Sequence, residues 1–302
     1  MVTHFADKFY EAAAAKGAPV CVGIDPVFSK MPKKLTGGAD VPDDDQHAAE
    51  VFEKYTVALL EAVAPYTPIV KPQLACFERY HAAGFVAYHN IVQAAQGLGI
   101  MVLADGKRGD IGISSDHYAN GLLGSPDGAD ALTVNPYLGM DGVEPFVKLA
   151  AAEGKGIFAL VRTSNPGSDG IQSHELADGR TVAQMVADEV FRFGRGDKAY
   201  IGDCGYSLLG AVVGATKSSD AKDLRERMSE QIFLVPGFGA QGGTADDVRA
   251  CFNENGTGAI ITASRSVIYA YMNGDGSQQD DWKSAIAAGA KDLNEQIAAI
   301  LK

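Results

Sequence analysis

The feature that most constrains this chain is an alternation. Short apolar, β-rich runs recur at residues 19–25 (PVCVGID), 68–74 (PIVKPQL), 99–105 (GIMVLAD), 131–137 (ALTVNPY), 156–162 (GIFALVR), 208–216 (LLGAVVGAT), 231–237 (QIFLVPG) and 258–264 (GAIITAS). Between them lie stretches with helical periodicity, such as AAEVFEKYTVALLEAVAPY, FVAYHNIVQAAQGLG and TVAQMVADEVFRF, and WKSAIAAGAKDLNEQIAAILK closes the chain. About eight strand–helix units in one chain read as an α/β fold, a closed (β/α)8 TIM barrel forming a single domain over residues 1–302. The competitor is an open doubly wound sheet, which would carry a glycine-rich phosphate fingerprint just after its first strand. Here GIDPVFSKMPKK follows that strand, and the glycine-rich turn comes only at strand seven.

Two stretches depart from the alternation. Residues 27–47 carry Pro, Gly and an acid run and read as a surface insertion after strand one. Residues 163–181 are polar and glycine-containing; at the C-terminal end of a barrel strand, such a loop is a candidate lid that closes on a phosphate ligand.

Composition narrows the partners. The formal net charge of −12 argues against a nucleic-acid or anionic-membrane surface, so an anionic small ligand must be held by local donors. Cys21, Cys76, Cys204 and Cys251 are scattered, with neither metal-ligand spacing nor a disulfide framework, which fits a reducing cytoplasm. The N-terminal MVTHFADKFYEAAAAKG is amphipathic and carries acids, unlike a signal peptide, and no apolar run is long enough to span a bilayer.

Within that frame the charges stand out. Asp105 ends the third apolar run, Lys107 and Asp110 follow on the loop, Lys71 sits inside the second run, and Asp25 ends the first. In a barrel these residues converge on the C-terminal mouth, where barrel enzymes carry their chemistry. An ion-pair network fixing the rim is the alternative for any one of them. Two lysines and three acids at one end would be a costly way to tie a rim. The other half of the mouth suits a phosphate: PGFGAQGG (236–243) follows strand seven and ASRSVIYA (263–270) follows strand eight. Loops there offer backbone N–H groups to an anion, and Arg265 adds a guanidinium fork.

These residues carry a resemblance. DGKRGDIG resembles the Asp-x-Lys-x-x-Asp-Ile signature of the orotidine 5′-phosphate decarboxylase family, and GIDP, VKPQLACFE, RTSNPGS, VVGAT, PGFGAQGG and SRSVIYA follow in the family's order over about residues 20–270. The length and the RTSNPGS form are similar to the longer bacterial branch. The resemblance implies decarboxylation of orotidine 5′-phosphate to UMP, with no metal or organic cofactor. It implies that Lys71, Asp105, Lys107 and Asp110 form an alternating charge array, with Lys107 the proton donor to C6. It further implies that Asp25 holds a ribose hydroxyl, Ser164 reads the pyrimidine edge, Gln241 bridges base and phosphate, and Arg265 binds the phosphate. Finally, it implies a homodimer with shared sites, Asp110 and Ser114 entering the neighbouring subunit's site. Ser114 stands where many relatives have Thr, and Ser264 where many have Gly.

An ammonium beside a ring carbon that loses CO₂ stabilises the developing carbanion and then protonates it. Two other readings stay open at this point. One is a Mg²⁺-dependent sugar-phosphate decarboxylase or aldolase, in which the acids ligate metal; RTSNPGS and Gln241, a base-reading pair, speak against it. The other is a non-catalytic nucleotide-phosphate binder on the same fold, which would need only the phosphate half. His81, His89 and His117 read as surface or helix-end residues, Cys21 and Cys76 as inert thiols in apolar strand contexts, and Trp282 as an anchor of the last helix to the barrel exterior.

Overall fold

Eight strands form along the apolar runs: β1 Val20–Ile24, β2 Ile69–Pro72, β3 Met101–Arg108, β4 Ala131–Val134, β5 Gly156–Arg162, β6 Ser207–Val213, β7 Gln231–Pro236 and β8 Ala259–Ala263. The computed structural model describes residues 2–124, 127–214, 218–238 and 245–302. Each strand pairs in parallel with the next, and β8 returns to β1 with Val20 opposite Ile261, closing the barrel. Long helices such as Asp45–Val63, His81–Gly97, Met140–Glu153, Val182–Gly194 and Trp282–Ile300 alternate with the strands. Among the described residues, no helix is long and apolar enough to cross a membrane.

The two-residue period of a strand decides what reaches the barrel axis. Cys21, Ile69, Leu103, Ala131, Phe158 and Leu234 point inward and pack on one another. Their neighbours Val22, Val70, Val102, Leu132, Ile157 and Val235 belong to the outer core beneath the helices. Continuing the inward phase toward the C-terminal strand ends arrives at Lys71 on β2, Asp105 and Lys107 on β3, and Thr133 on β4. The apolar interior is thus topped by a polar layer.

The opposite end is closed by the helix Phe5–Lys16. Phe5 and Phe9 are fully buried in the inner cluster, and the Phe5 ring meets Phe158 edge-on at 5.9 Å. Each such burial contributes about 1.5–3 kcal/mol. The plug leaves the C-terminal mouth as the open end.

Residues 27–47, expected at the surface, divide into two parts. Phe28 and Met31 are buried in the outer core, and Tyr271 and Gln278 donate to the Lys30 and Met31 carbonyls at 2.7 and 3.0 Å. Val41 and the acid run that follows remain largely exposed, and Asp44 caps the helix Asp45–Val63 by accepting from His47 N at 2.7 Å. Trp282 begins the last helix and stacks on Tyr55 of the helix Asp45–Val63, with centroids 5.4 Å apart. It anchors the last helix to the exterior layer, as its position in the sequence suggested.

Candidate active site

Asp105 is the centre of the polar layer. One carboxylate oxygen accepts from Lys71 Nζ at 2.6 Å and from Gln73 Nε2 at 3.2 Å; the other accepts from Lys107 Nζ at 2.6 Å and from Thr133 Oγ1 at 2.9 Å. Burial alone would push its pKa up, but the two ammoniums outweigh burial and hold the carboxyl well below the usual carboxylate range. Burial likewise works against the Lys71 charge, yet Asp105 and then Asp25 leave its pKa raised. The two lysines differ in access. The Lys71 side chain is 9% exposed, whereas that of Lys107 is 46% exposed and faces the mouth.

Lys107 lies on β3 rather than on the loop after it, and the pairing of β3 with β4 shifts register between Ala104 and Arg108. Such an irregularity re-aims a side chain. The backbone at Lys107 has φ +45°, a left-handed conformation that costs a non-glycine residue about 1–2 kcal/mol. Thr133 Oγ1 accepts from Lys107 N at 2.9 Å while donating to Asp105, so one hydroxyl fixes both the strained peptide and the carboxylate.

Asp25, half-buried at the end of β1, accepts from Ser264 Oγ at 2.5 Å, and its backbone carbonyl accepts from Tyr269 O–H at 2.9 Å. Gly23 makes room for this pair: a Cβ there would stand 3.0 Å from Ser264 Cβ. Asp110, which the resemblance places in the neighbouring subunit's site, stands apart from its own chain's lysines. It is half-buried and accepts from the adjacent Ile111 N at 2.8 Å, and no ion pair joins it to either lysine among the described residues. Beyond Lys107 the chain turns outward toward the helix Gly112–Leu123, whose first turn holds Ser114.

Above the array lies a cavity of about 520 Å³, the size class of small-molecule sites. Lys71, Asp105, Lys107 and Thr133 line one side, Thr163, Ser164, Ile171 and Gln172 the other, with an apolar wall from Leu160, Val186, Val212 and Leu234. Residues 163–181 are built rather than loose. A 3₁₀ turn Pro166–Ser168 leads into a short helix Asp169–Gln172, and Glu175 bridges Thr181, which caps the helix Val182–Gly194. Arg265 opens the short helix after β8, exposed and without an ion-pair partner among the described residues. Gln241 lies outside the described residues, as do 239–244 of the glycine-rich turn.

Sequence reasoning passed over Thr133, Gln73 and Arg162. Thr133 and Gln73 are neutral residues in strand contexts; their signal was phase, since each lies two residues beyond an inward-facing position. Arg162, a charge ending an apolar strand, gave the same signal as Asp105. Cys21 is buried, which pushes its thiol up to about 12. Cys76 lies on the short helix Leu74–Glu78 rather than on a strand, and partial burial pushes its thiol up to about 11. His81, His89 and His117 are exposed, His81 pairing with Asp45 at 2.8 Å.

The chain matches the Orotidine 5′-phosphate decarboxylase / HUMPS family over residues 19–275. It is 40% identical to an orotidine 5′-phosphate decarboxylase of Rhodopirellula baltica, covering 97% of this chain and 98% of that one. It is 42% identical to an orotidine 5′-phosphate decarboxylase of Deinococcus radiodurans, covering 89% and 91%. A solved structure of a Streptomyces avermitilis protein assigned as the same enzyme superposes with a TM-score of 0.81 at 32% identity, covering 100% of this chain and 97% of that one.

Proposed function

Because this chain belongs to the Orotidine 5′-phosphate decarboxylase / HUMPS family, whose curated relatives carry the name of a carboxy-lyase, we propose that it converts orotidine 5′-phosphate to UMP in pyrimidine synthesis, without metal or organic cofactor. The observation that carries this reading is the Lys71–Asp105–Lys107 chain, with both N–O distances at 2.6 Å and Lys107 open to the cavity. In the reaction the C6–carboxylate bond breaks and CO₂ leaves. The electron pair stays on C6, and Lys107 Nζ stabilises it and delivers its proton there. Asp105 pairs with both ammoniums and fixes their orientation. A substrate carboxylate beside Asp105 meets a like charge that vanishes as CO₂ departs, so the ground state loses more than the transition state.

The remaining roles follow the family pattern on this chain's residues. Asp25 holds a ribose hydroxyl, Ser164 the pyrimidine edge, Gln241 the base and phosphate together, and Arg265 the phosphate. Phosphate binding, remote from C6, supplies energy that can close residues 163–181 over the substrate. Asp110 and Ser114 serve the site of a second subunit in a homodimer. Supporting this, Ile111, Ile113, Tyr137 and Leu138 expose 58%, 72%, 84% and 53% of their surface around the loops after β3 and β4, an apolar patch flanking Asp110. The four free thiols suit a reducing cytoplasm.

A Mg²⁺-dependent sugar-phosphate reaction fits this donor set less well. Asp105 is already neutralised by two ammoniums, and among the described residues no three His, Cys, Asp or Glu side chains gather to ligate a cation. The test is turnover of orotidine 5′-phosphate, followed by loss of its absorbance, before and after EDTA treatment. Undiminished turnover supports the reading; no turnover, or turnover abolished by EDTA and restored by Mg²⁺, overturns it.

A further inference from the structure

Arg162 ends β5, two residues before Ser164, with its side chain only 2% exposed. A guanidinium so deeply buried is costly unless its donors are met. Here Nε donates to Asp220 at 2.7 Å. One terminal nitrogen donates to Ser168 Oγ at 3.0 Å and reaches Gln172 Oε1 at 3.4 Å; the other donates to the Asp169 carboxylate and to Ser173 Oγ at 3.1 Å. The two carboxylates come from different places. Asp169 belongs to the segment after β5, and Asp220 to the helix Ser218–Arg227 that follows β6.

The grip extends to the residues facing the cavity. Gln172 Oε1 also accepts from Thr163 N at 2.8 Å, and its Nε2 donates to Thr163 Oγ1 at 2.9 Å. On the β6 side, Gly214 N donates to the Arg162 carbonyl at 2.8 Å, and a Cβ on Gly214 would stand 3.0 Å from Ser164 Cβ. Ser164 is held between a clamped neighbour and a glycine that lets β6 approach.

We propose that Arg162 is a positioning residue that presents Ser164 to the base end of the cavity, by locking the segments after β5 and β6 into one unit. This rests on the reading of Ser164 as the pyrimidine contact. The planar fork is what allows one side chain to bridge carboxylates on separate segments; a lysine ammonium has no such geometry.

The experiment compares the unaltered chain with Arg162→Lys, Asp220→Asn, Ser164→Ala and the Asp220→Asn/Ser164→Ala double variant. It measures kcat/KM for orotidine 5′-phosphate and affinity for UMP and for ribose 5-phosphate. Arg162→Lys and Asp220→Asn should each lower kcat/KM about tenfold or more, as expected for a charge-assisted bond lost from a positioning network, and weaken UMP binding. Ribose 5-phosphate, which has no base for Ser164 to read, should bind unchanged. In the Ser164→Ala background, Asp220→Asn should add less than about a twofold loss, because the group it positions is already gone. The Asp220 side chain is 40% exposed, so this variant carries the test even where Arg162→Lys fails to fold. Equal weakening of both ligands, full additivity in the double variant, or wild-type kinetics in Asp220→Asn would overturn the positioning role alone. Absence of turnover and of UMP binding in the unaltered chain would overturn the reading on which it rests.

Discussion

Thr133→Val isolates the hydroxyl that holds Lys107, the proposed proton donor, in its strained conformation. Thr133 is 1% exposed, and its Oγ1 lies 2.9 Å from both Asp105 Oδ1 and Lys107 N. Valine preserves the branching but removes a donor to a buried carboxylate, worth about 1.5–3 kcal/mol, and leaves the Lys107 N–H unpaired, at a further cost of about 1–3 kcal/mol. Part of this is recovered as Lys107 relaxes from φ +45°, which on the proposed mechanism shifts its Nζ away from the reacting carbon. If about 3 kcal/mol is lost at the transition state, kcat falls roughly a hundredfold. KM should change little, because the proposed phosphate, ribose and base contacts (Arg265, Asp25 and Ser164) are other residues. Steady-state kinetics on Thr133→Val and Thr133→Ser, with denaturant unfolding of both, give the answer. Serine retains the hydroxyl and should restore most of kcat. A valine variant with normal kcat, or a serine variant as impaired as the valine one, would refute the argument.

Other consequences are as specific. Arg265→Ala should raise KM and lower kcat/KM by about 3 kcal/mol for orotidine 5′-phosphate, while a substrate lacking the phosphate should be nearly indifferent; equal losses would make Arg265 a structural residue. If Asp110 serves the neighbouring subunit of a homodimer as proposed, mixing Asp110→Ala with Lys107→Ala subunits should restore activity, since one site of a heterodimer then receives both residues intact; a dead mixture after confirmed subunit exchange would remove Asp110 from the neighbouring site. The ion chain also sets a pH dependence of stability. Asp105 is depressed from about 3.9, so its contribution is full above that value and is lost only as pH falls below it; Lys71 is raised from about 10.4, so its contribution is full below that value and is lost as pH rises beyond it. The stability difference between the unaltered chain and Asp105→Asn should therefore stay constant from about pH 5 to 9 and shrink below about pH 4, whereas a collapse near pH 6 would contradict the pairing.

Much of this is legible in the sequence, for a physical reason. Strands buried on both faces must be apolar, so a charge at the end of such a run marks the mouth of a parallel barrel. Asp105, Lys107 and Lys71 share the inward phase and do meet. Asp110 lies past the end of β3, where strand periodicity no longer aims its side chain into its own barrel, and it accepts from Ile111 N, a position compatible with its proposed role in a neighbouring site. Thr133 and Gln73 were illegible as chemistry since neutral hydrogen-bonding residues are common in strands, and only the register of β3 with its neighbours reveals what they hold. Residues 27–47 read as surface by composition, yet Phe28 and Met31 within them turn inward, a tertiary choice that polar neighbours in sequence conceal.

In the proposed mechanism Lys107 gives its proton to the carbon that loses CO₂, and the rest of the site binds and aligns the substrate. The most direct test is Lys107→Ala, measured at once for turnover of orotidine 5′-phosphate and for affinity toward UMP. Turnover should fall to the uncatalysed background, with UMP still bound within a few-fold of the unaltered chain. Turnover retained above a trace in a variant that binds UMP normally would contradict the mechanism.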